Sequence, residues 1–184
     1  MKSKRNTLAA RGALPAARGI YILIYFEEKC KLIDKNIRGG NKMQIQTKFF
    51  GEIEINKNQI IDFPEGIPGF PEEKQYIIIR DEDTDFTFFQ SAKTEHLCFI
   101  TLPPVLIVGD YSFELSKETV KKLELENAED VLVYSILNIP EDFKEMTANL
   151  KAPLVINIKN NKGIQELLDD DIYALKHPVF RGEE

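Results

Sequence analysis

The chain has 184 residues, 43% of them hydrophobic and 29% charged, with a net charge of −6. That length holds one domain, or one domain with an appendage, and supplies enough apolar side chains for a packed core. The charged fraction argues against a membrane protein, and no apolar run reaches the roughly 18–20 residues that span a bilayer.

The first forty-two residues differ from the rest. They carry ten basic and three acidic side chains, whereas residues 43–184 carry 14 basic and 27 acidic ones, a balance of −13. The stretch "LAARGALPAARG" is basic and low in complexity. The apolar run "IYILIYF" (20–26) is followed by Glu27, Glu28 and Lys29 and has no cleavage-site pattern, so it is not read as a signal peptide. "RGGNKM" (38–43) can be encoded with AGGAGG a few bases before ATG, the form of a bacterial ribosome-binding site. The expectation is that Met43 is the start and that residues 1–42 are translated upstream sequence, poorly ordered and without function. The alternative is a genuine basic arm.

From Met43 the pattern is one of strands. "MQIQTKFFGEIEI" (43–55) alternates polar and apolar residues and predicts two strands with a bend at Gly51. Further strands are expected at 59–63 (QIIDF), 75–80 (QYIIIR), 86–92 (FTFFQSA), 97–102 (LCFITL), 130–139 (DVLVYSILNI) and 152–158 (APLVINI). "KGIQELL" (162–168) fits strand or helix, and "VINIKNNKGIQEL" favours a hairpin. One helix is expected over 115–125. Ser116 is its cap, Leu115 and Val120 staple it, and Glu118 and Lys122 pair one turn apart. A second short turn is expected from Pro140. Short, turn-rich spacings predict a mainly β protein, an antiparallel β-barrel-like single domain over 43–184 with one or two short helices.

Catalytic chemistry is not apparent. Cys30 and Cys98 have neither metal spacing nor a disulfide framework and read as reduced thiols; with no signal peptide read, a cytoplasmic location is the default expectation. His96 and His177 lie about eighty residues apart with no metal motif between them. A nucleophile elbow, a P-loop and a dinucleotide fingerprint are all lacking. Asp81, Asp83 and Asp85 have calcium-loop spacing, but Phe86 and Ala92 stand where that loop needs glycine and glutamate, so "DEDTD" reads as a solvated turn. No catalytic residue, metal or cofactor is expected. An enzyme would require His96, His177 and Cys98 to converge in a cleft. Acidity disfavours direct contact with nucleic acid; it either keeps the domain soluble or suits a basic protein partner.

Binding to other proteins remains. "FPEGIPGF" (63–70) holds two prolines and two glycines between phenylalanines, so it is neither helix nor central strand. Phe63 and Phe70 are expected to anchor its ends, leaving Glu65, Ile67 and Pro68 on a stiff tip. The tip serves either as a binding loop with little entropy to lose or as a rigid connector. "FFGEIEI", "IIDFPEGIPGF", "FFQS" (88–91), "MTANLKAPLVIN" (146–157) and "YALKHPVF" (173–180) together closely resemble the FliW family of flagellar assembly factors, from about Met43 to Phe180. "PPVLIVGDYSFEL" (103–115) matches less closely. The resemblance implies a non-enzymatic β-barrel-like protein. Such a protein binds the RNA-binding translational repressor CsrA and relieves its block on flagellin mRNA, and it also binds flagellin, which competes for it. Candidate partner-binding residues are Glu65, Ile67 and Pro68, then Asn149 and Lys151 of "MTANLKAP", then Lys176, His177 and Phe180 of the C-terminal segment.

Overall fold

The computed structural model describes residues 41–169 and 171–180, together with the backbone of 21–23. Alternating segments build β2 (Lys42–Thr47) and β3 (Gly51–Asn56), and short apolar runs build β4 (Ile61–Asp62), β5 (Gln75–Arg80), β6 (Thr87–Ser91) and β7 (Cys98–Leu102); β1 (Tyr21–Leu23) precedes them. They continue as β8 (Ser112–Glu114), β9 (Val131–Asn138), β10 (Thr147–Ala148), β11 (Leu154–Asn157), β12 (Lys162–Gln165) and β13 (His177–Pro178). The strand reading of 162–168 holds for its first four residues, Lys162–Gln165: β11 and β12 are an antiparallel hairpin with Val155 opposite Ile164.

Seven strands close a barrel in the order β11, β12, β4, β5, β6, β7, β9, with β9 pairing back to β11. All pairs are antiparallel except β12 with β4, where Lys162 lies beside Asp62. That parallel seam joins segments a hundred residues apart, so no local pattern announces it. Register puts every second residue on one face. Ile61, Tyr76, Phe89, Tyr134, Leu154 and Ile156 form one buried cluster to which Phe99 adds. Because all these strands contribute to it, and Gly163 of β12 faces it, the cluster fills the barrel interior.

Two further clusters cover the outside. The β2–β3 hairpin lays Ile45 and Ile55 on Ile77 of β5. Gly51, which opens β3 opposite Thr47 just past the turn of residues 48–50, takes φ 64°, a left-handed value that glycine adopts without strain. On the opposite side, Tyr111, Phe113, Leu115, Leu123, Met146, Leu150 and Tyr173 cover Val131, Val133 and Val155. Strand β9 is therefore buried on both faces, which accounts for its unbroken apolar run "VLVYSIL".

The helix α1 (Lys117–Lys122) is shorter than the 115–125 expected. Glu124 adopts φ 53°, which ends the helix, and the Asn157 side-chain amide donates to the freed Leu123 carbonyl at 2.9 Å. The predicted cap forms: Ser116 Oγ accepts from the Thr119 N–H at 3.1 Å. Thr119 in turn donates to the buried Glu166 carboxylate. Ser116→Ala should cost about 1 kcal/mol in a urea melt; an unchanged midpoint would mean the cap contributes nothing. The turn expected from Pro140 is a single 3-10 turn at Phe143–Glu145, with Asp142 Oδ1 accepting from the Lys144 N–H at 3.0 Å. The strands β8, β10 and β13 were not foreseen; at two or three residues each they are too short to show a period. Most of the segment 1–42 lies outside the described residues, but Tyr21–Leu23 pairs antiparallel with β8.

Candidate functional site

The loop 63–70 is built differently from the sequence expectation. Phe63 is an anchor, fully buried in the barrel interior. The second anchor is Ile67, 2% exposed, while Phe70 is 41% exposed and rests edge-on against Phe99. The correction has a backbone cause. Gly66 and Gly69 both take positive φ, and the Phe70 N–H donates to the Ile67 carbonyl at 2.7 Å. These two tight turns fold the tip back and drive Ile67 inward. Ile67 is therefore unavailable to a partner, and Glu65 and Pro68 stay exposed. Glu65 is tied to Lys122 of α1 at 2.5 Å, and Lys122 also meets Glu118 at 2.8 Å. Hydrogen bonds to Glu118 and then Glu65 hold the Lys122 ammonium above its ordinary pKa.

The next pair has local structural partners. Asn149 Oδ1 accepts from the Ala152 N–H at 2.8 Å, closing the turn between β10 and β11. Lys151 reaches Asp171 at 2.6 Å, and that hydrogen bond, with the lysine's charge, lowers the Asp171 pKa. The depressed carboxyl makes the pair's contribution fully present above the ordinary Asp pKa and lost as pH falls below that value and through the lower folded-state one. The C-terminal segment forms β13, with His177 opposite Ala148, while Lys176 is exposed.

Phe180 is the predicted residue that the fold brings into a cluster. Its ring lies 5.6 Å from that of Phe143, which lies 6.3 Å from that of Phe86. Phe143 is 47% exposed and Phe180 44%. Asp83 and Asp85 precede Phe86, and Glu141, Asp142 and Glu145 flank Phe143, all exposed. Three segments distant in sequence thus make one aromatic patch edged by carboxylates. Phe86 and Phe143 were missed as site residues. Their signal was a phenylalanine directly beside acids, which by itself reads as a strand start or a helix turn.

The catalytic alternative gains nothing from the geometry. The His96 side chain is 83% exposed, and its described partner is Glu95 at 3.9 Å. Burial pushes the Cys98 thiol up to about 11, with the Lys48 charge opposing, the reverse of what a nucleophile needs. In a Cys30→Ser background at pH 8, Cys98 should be alkylated by iodoacetamide roughly a hundredfold more slowly than a free cysteine, from the difference in thiolate fraction. Alkylation at the free-thiol rate would contradict that burial. The "DEDTD" turn satisfies itself: Asp81 accepts from the Asp83 N–H at 3.0 Å and from the Thr84 hydroxyl at 2.9 Å. Among the described residues, no group of three or more His, Cys, Asp or Glu is placed to hold a metal ion. Among them, too, no helix is long and apolar enough to cross a membrane.

Fold and surface together define a class: a small closed β-barrel with a filled interior, displaying apolar side chains edged by acids. Relatives agree on which one. The family model described as FliW protein matches residues 44–179. The chain is 51% identical over 140 residues to the flagellar assembly factor FliW of Alkaliphilus metalliredigens, covering 75% of this chain and 86% of that one. It is 43% identical over 138 residues to that of Bacillus subtilis, covering 74% and 96%. A crystal structure of the flagellar assembly factor FliW superposes with a TM-score of 0.73 at 37% identity, over 77% of this chain and all of that one. The chain belongs to the FliW family.

Proposed function

We propose that this chain is a protein-binding regulator that couples flagellin translation to filament assembly. It binds a CsrA-type RNA-binding repressor and relieves repression of flagellin mRNA; flagellin competes for it and returns the repressor to the message. The observation that supports this most directly is the Phe86–Phe143–Phe180 patch with its carboxylate edge, on a domain at −13 over residues 43–184. Apolar anchors with an acidic surround suit a basic partner: the rings supply desolvated contact area and the charges steer its approach. The same charge disfavours phosphate backbones, so this chain acts on RNA only through the repressor.

Part of the antagonism is electrostatic exclusion of RNA from the complex. The test is a titration of this protein into a complex of a CsrA-type repressor with labelled flagellin leader RNA. RNA release should weaken as salt rises from 50 to 300 mM, and weaken more than repressor binding does. Equal salt dependence of the two would remove the exclusion idea. Absence of repressor binding would remove the regulatory reading. Flagellin binding without any effect on RNA occupancy would mark a dedicated flagellin chaperone instead.

A further inference from the structure

Phe88 links a second group of rings to the aromatic patch. Strand β6 turns Phe89 into the barrel, so Phe88 faces outward. Phe86 faces outward as well: it packs against the outer cluster, and its carbonyl accepts from the Asp81 N–H at 3.3 Å, which carries the β5–β6 ladder one step past Thr87. Over Phe88 lie two phenylalanines from the turn of the β2–β3 hairpin. The ring centroids of Phe49 and Phe50 stand 5.5 and 5.0 Å from that of Phe88, and the two residues are 50% and 41% exposed. Ile79 and Ile100, opposite Phe88 on the neighbouring strands and both half-buried, widen the apolar floor. Phe86 and Phe88 are two residues apart, about 7 Å along the strand. The six rings thus make one belt from the hairpin tip to Phe180.

The backbone beneath the belt limits what lies on it. Strand β6 is paired with β5 on one side and β7 on the other, so the floor presents side chains and no open strand edge. An extended peptide laid there would leave its own N–H and C=O groups unpaired against the rings, whereas a helix satisfies its own and offers an apolar stripe. Steps of about 5–7 Å between successive rings also match the spacing of side chains three and four apart on a helix. Charge is polarised along the belt. Asp83, Asp85, Glu141, Asp142 and Glu145 edge the Phe143 end, while at the other end Lys48 Nζ lies 5.2 Å from the centroid of the Phe49 ring.

We propose that this belt seats one amphipathic helix of a basic partner protein, with the helix's basic residues gathered at the end over Phe143 and Phe180. The belt is at most about 24 Å long, which is roughly sixteen helical residues. The inference rests on reading the Phe86–Phe143–Phe180 patch as the docking surface, and it adds Phe49 and Phe50 of the hairpin tip as the second half of that surface. The rings supply desolvated contact along the stripe, and the carboxylates at one end with Lys48 at the other set which way the helix lies.

The probe is a synthetic helix of about eighteen residues, with leucines along one face, glutamates in its first turns and lysines in its last. Fluorescence anisotropy measures its binding to the full chain. Phe49→Ser with Phe50→Ser should weaken binding at least tenfold, and so should Phe143→Ala with Phe180→Ala. The urea midpoint of each variant should barely move, because all four residues are close to half exposed. A peptide of the same composition in scrambled order should bind at least tenfold more weakly. A second readout needs no substitution in the protein: a nitroxide on the lysine end should broaden the amide signals of Val179 and Phe180, and one on the glutamate end those of Lys48 to Phe50. Loss of binding with the Phe143–Phe180 variant but not with the Phe49–Phe50 variant would overturn the belt and leave the patch as a docking surface. Indifference to both pairs would remove both readings. No binding of the probe, equal binding of the scrambled peptide, or the same broadening from either label would also overturn the proposal.

Discussion

Phe63→Ala is expected to lower the unfolding free energy by about 3–5 kcal/mol, the usual range for emptying a fully buried aromatic site. Phe63 carries the loop 63–70 into the barrel, where its ring packs edge-on against Tyr76 at 5.5 Å and Phe89 at 5.3 Å. The barrel accommodates it only because β12 has glycine opposite. A Cβ on Gly163 would lie 2.2 Å from Cε2 and 2.4 Å from Cζ of that ring. Gly163→Ala should therefore cost roughly 1–3 kcal/mol through overpacking. The pair is coupled: in Phe63→Ala the added methyl meets a cavity and no ring, so the double variant should be more stable than the sum of the singles predicts. Urea melts of the four proteins measure this. Simple additivity would show that the ring and the glycine do not share one space.

Phe143→Ala combined with Phe180→Ala is expected to weaken repressor or flagellin binding by about 2 kcal/mol or more, roughly thirtyfold, as truncating central aromatic anchors does. Stability should stay nearly constant, because both rings are nearly half exposed. Asp83→Lys with Asp85→Lys should instead slow association with a basic partner and flatten its salt dependence, leaving dissociation nearly unchanged. Surface plasmon resonance separates the two effects. If the aromatic pair can be removed without affecting either partner, the patch is not the docking surface, and Pro68 and Glu65, the latter tied to Lys122 of α1, become the better candidates.

The candidate residues divide according to what fixes their surroundings. Glu65 and Pro68 were legible as exposed because proline and glycine chemistry is local. Ile67 was not, since its inward turn depends on two successive positive-φ glycines and on a hydrophobic interior waiting beneath. Asn149 and Lys151 were picked out as part of a motif; their partners, the Ala152 N–H and Asp171, give them structural work. Phe180 acquires a context only through Phe143 and Phe86, which lie far from it in sequence.

What this sequence determined unaided was whatever depends on near neighbours. Short apolar runs rich in β-branched and aromatic residues set the strands β5, β6, β7, β9 and β11 within a residue or two. Ser116 set the start of α1, the hairpin at 154–165 followed from its turn, and the motifs spaced from Met43 to Phe180 placed the chain in its family. Tertiary structure alone decided three things: the parallel closure of β12 on β4, the inversion of Ile67 and Phe70, and the gathering of Phe86, Phe143 and Phe180. Each depends on surfaces meeting across long chain separations. There, burial of apolar area and pairing of backbone groups outweigh any local preference, and no pattern within a single segment records the meeting.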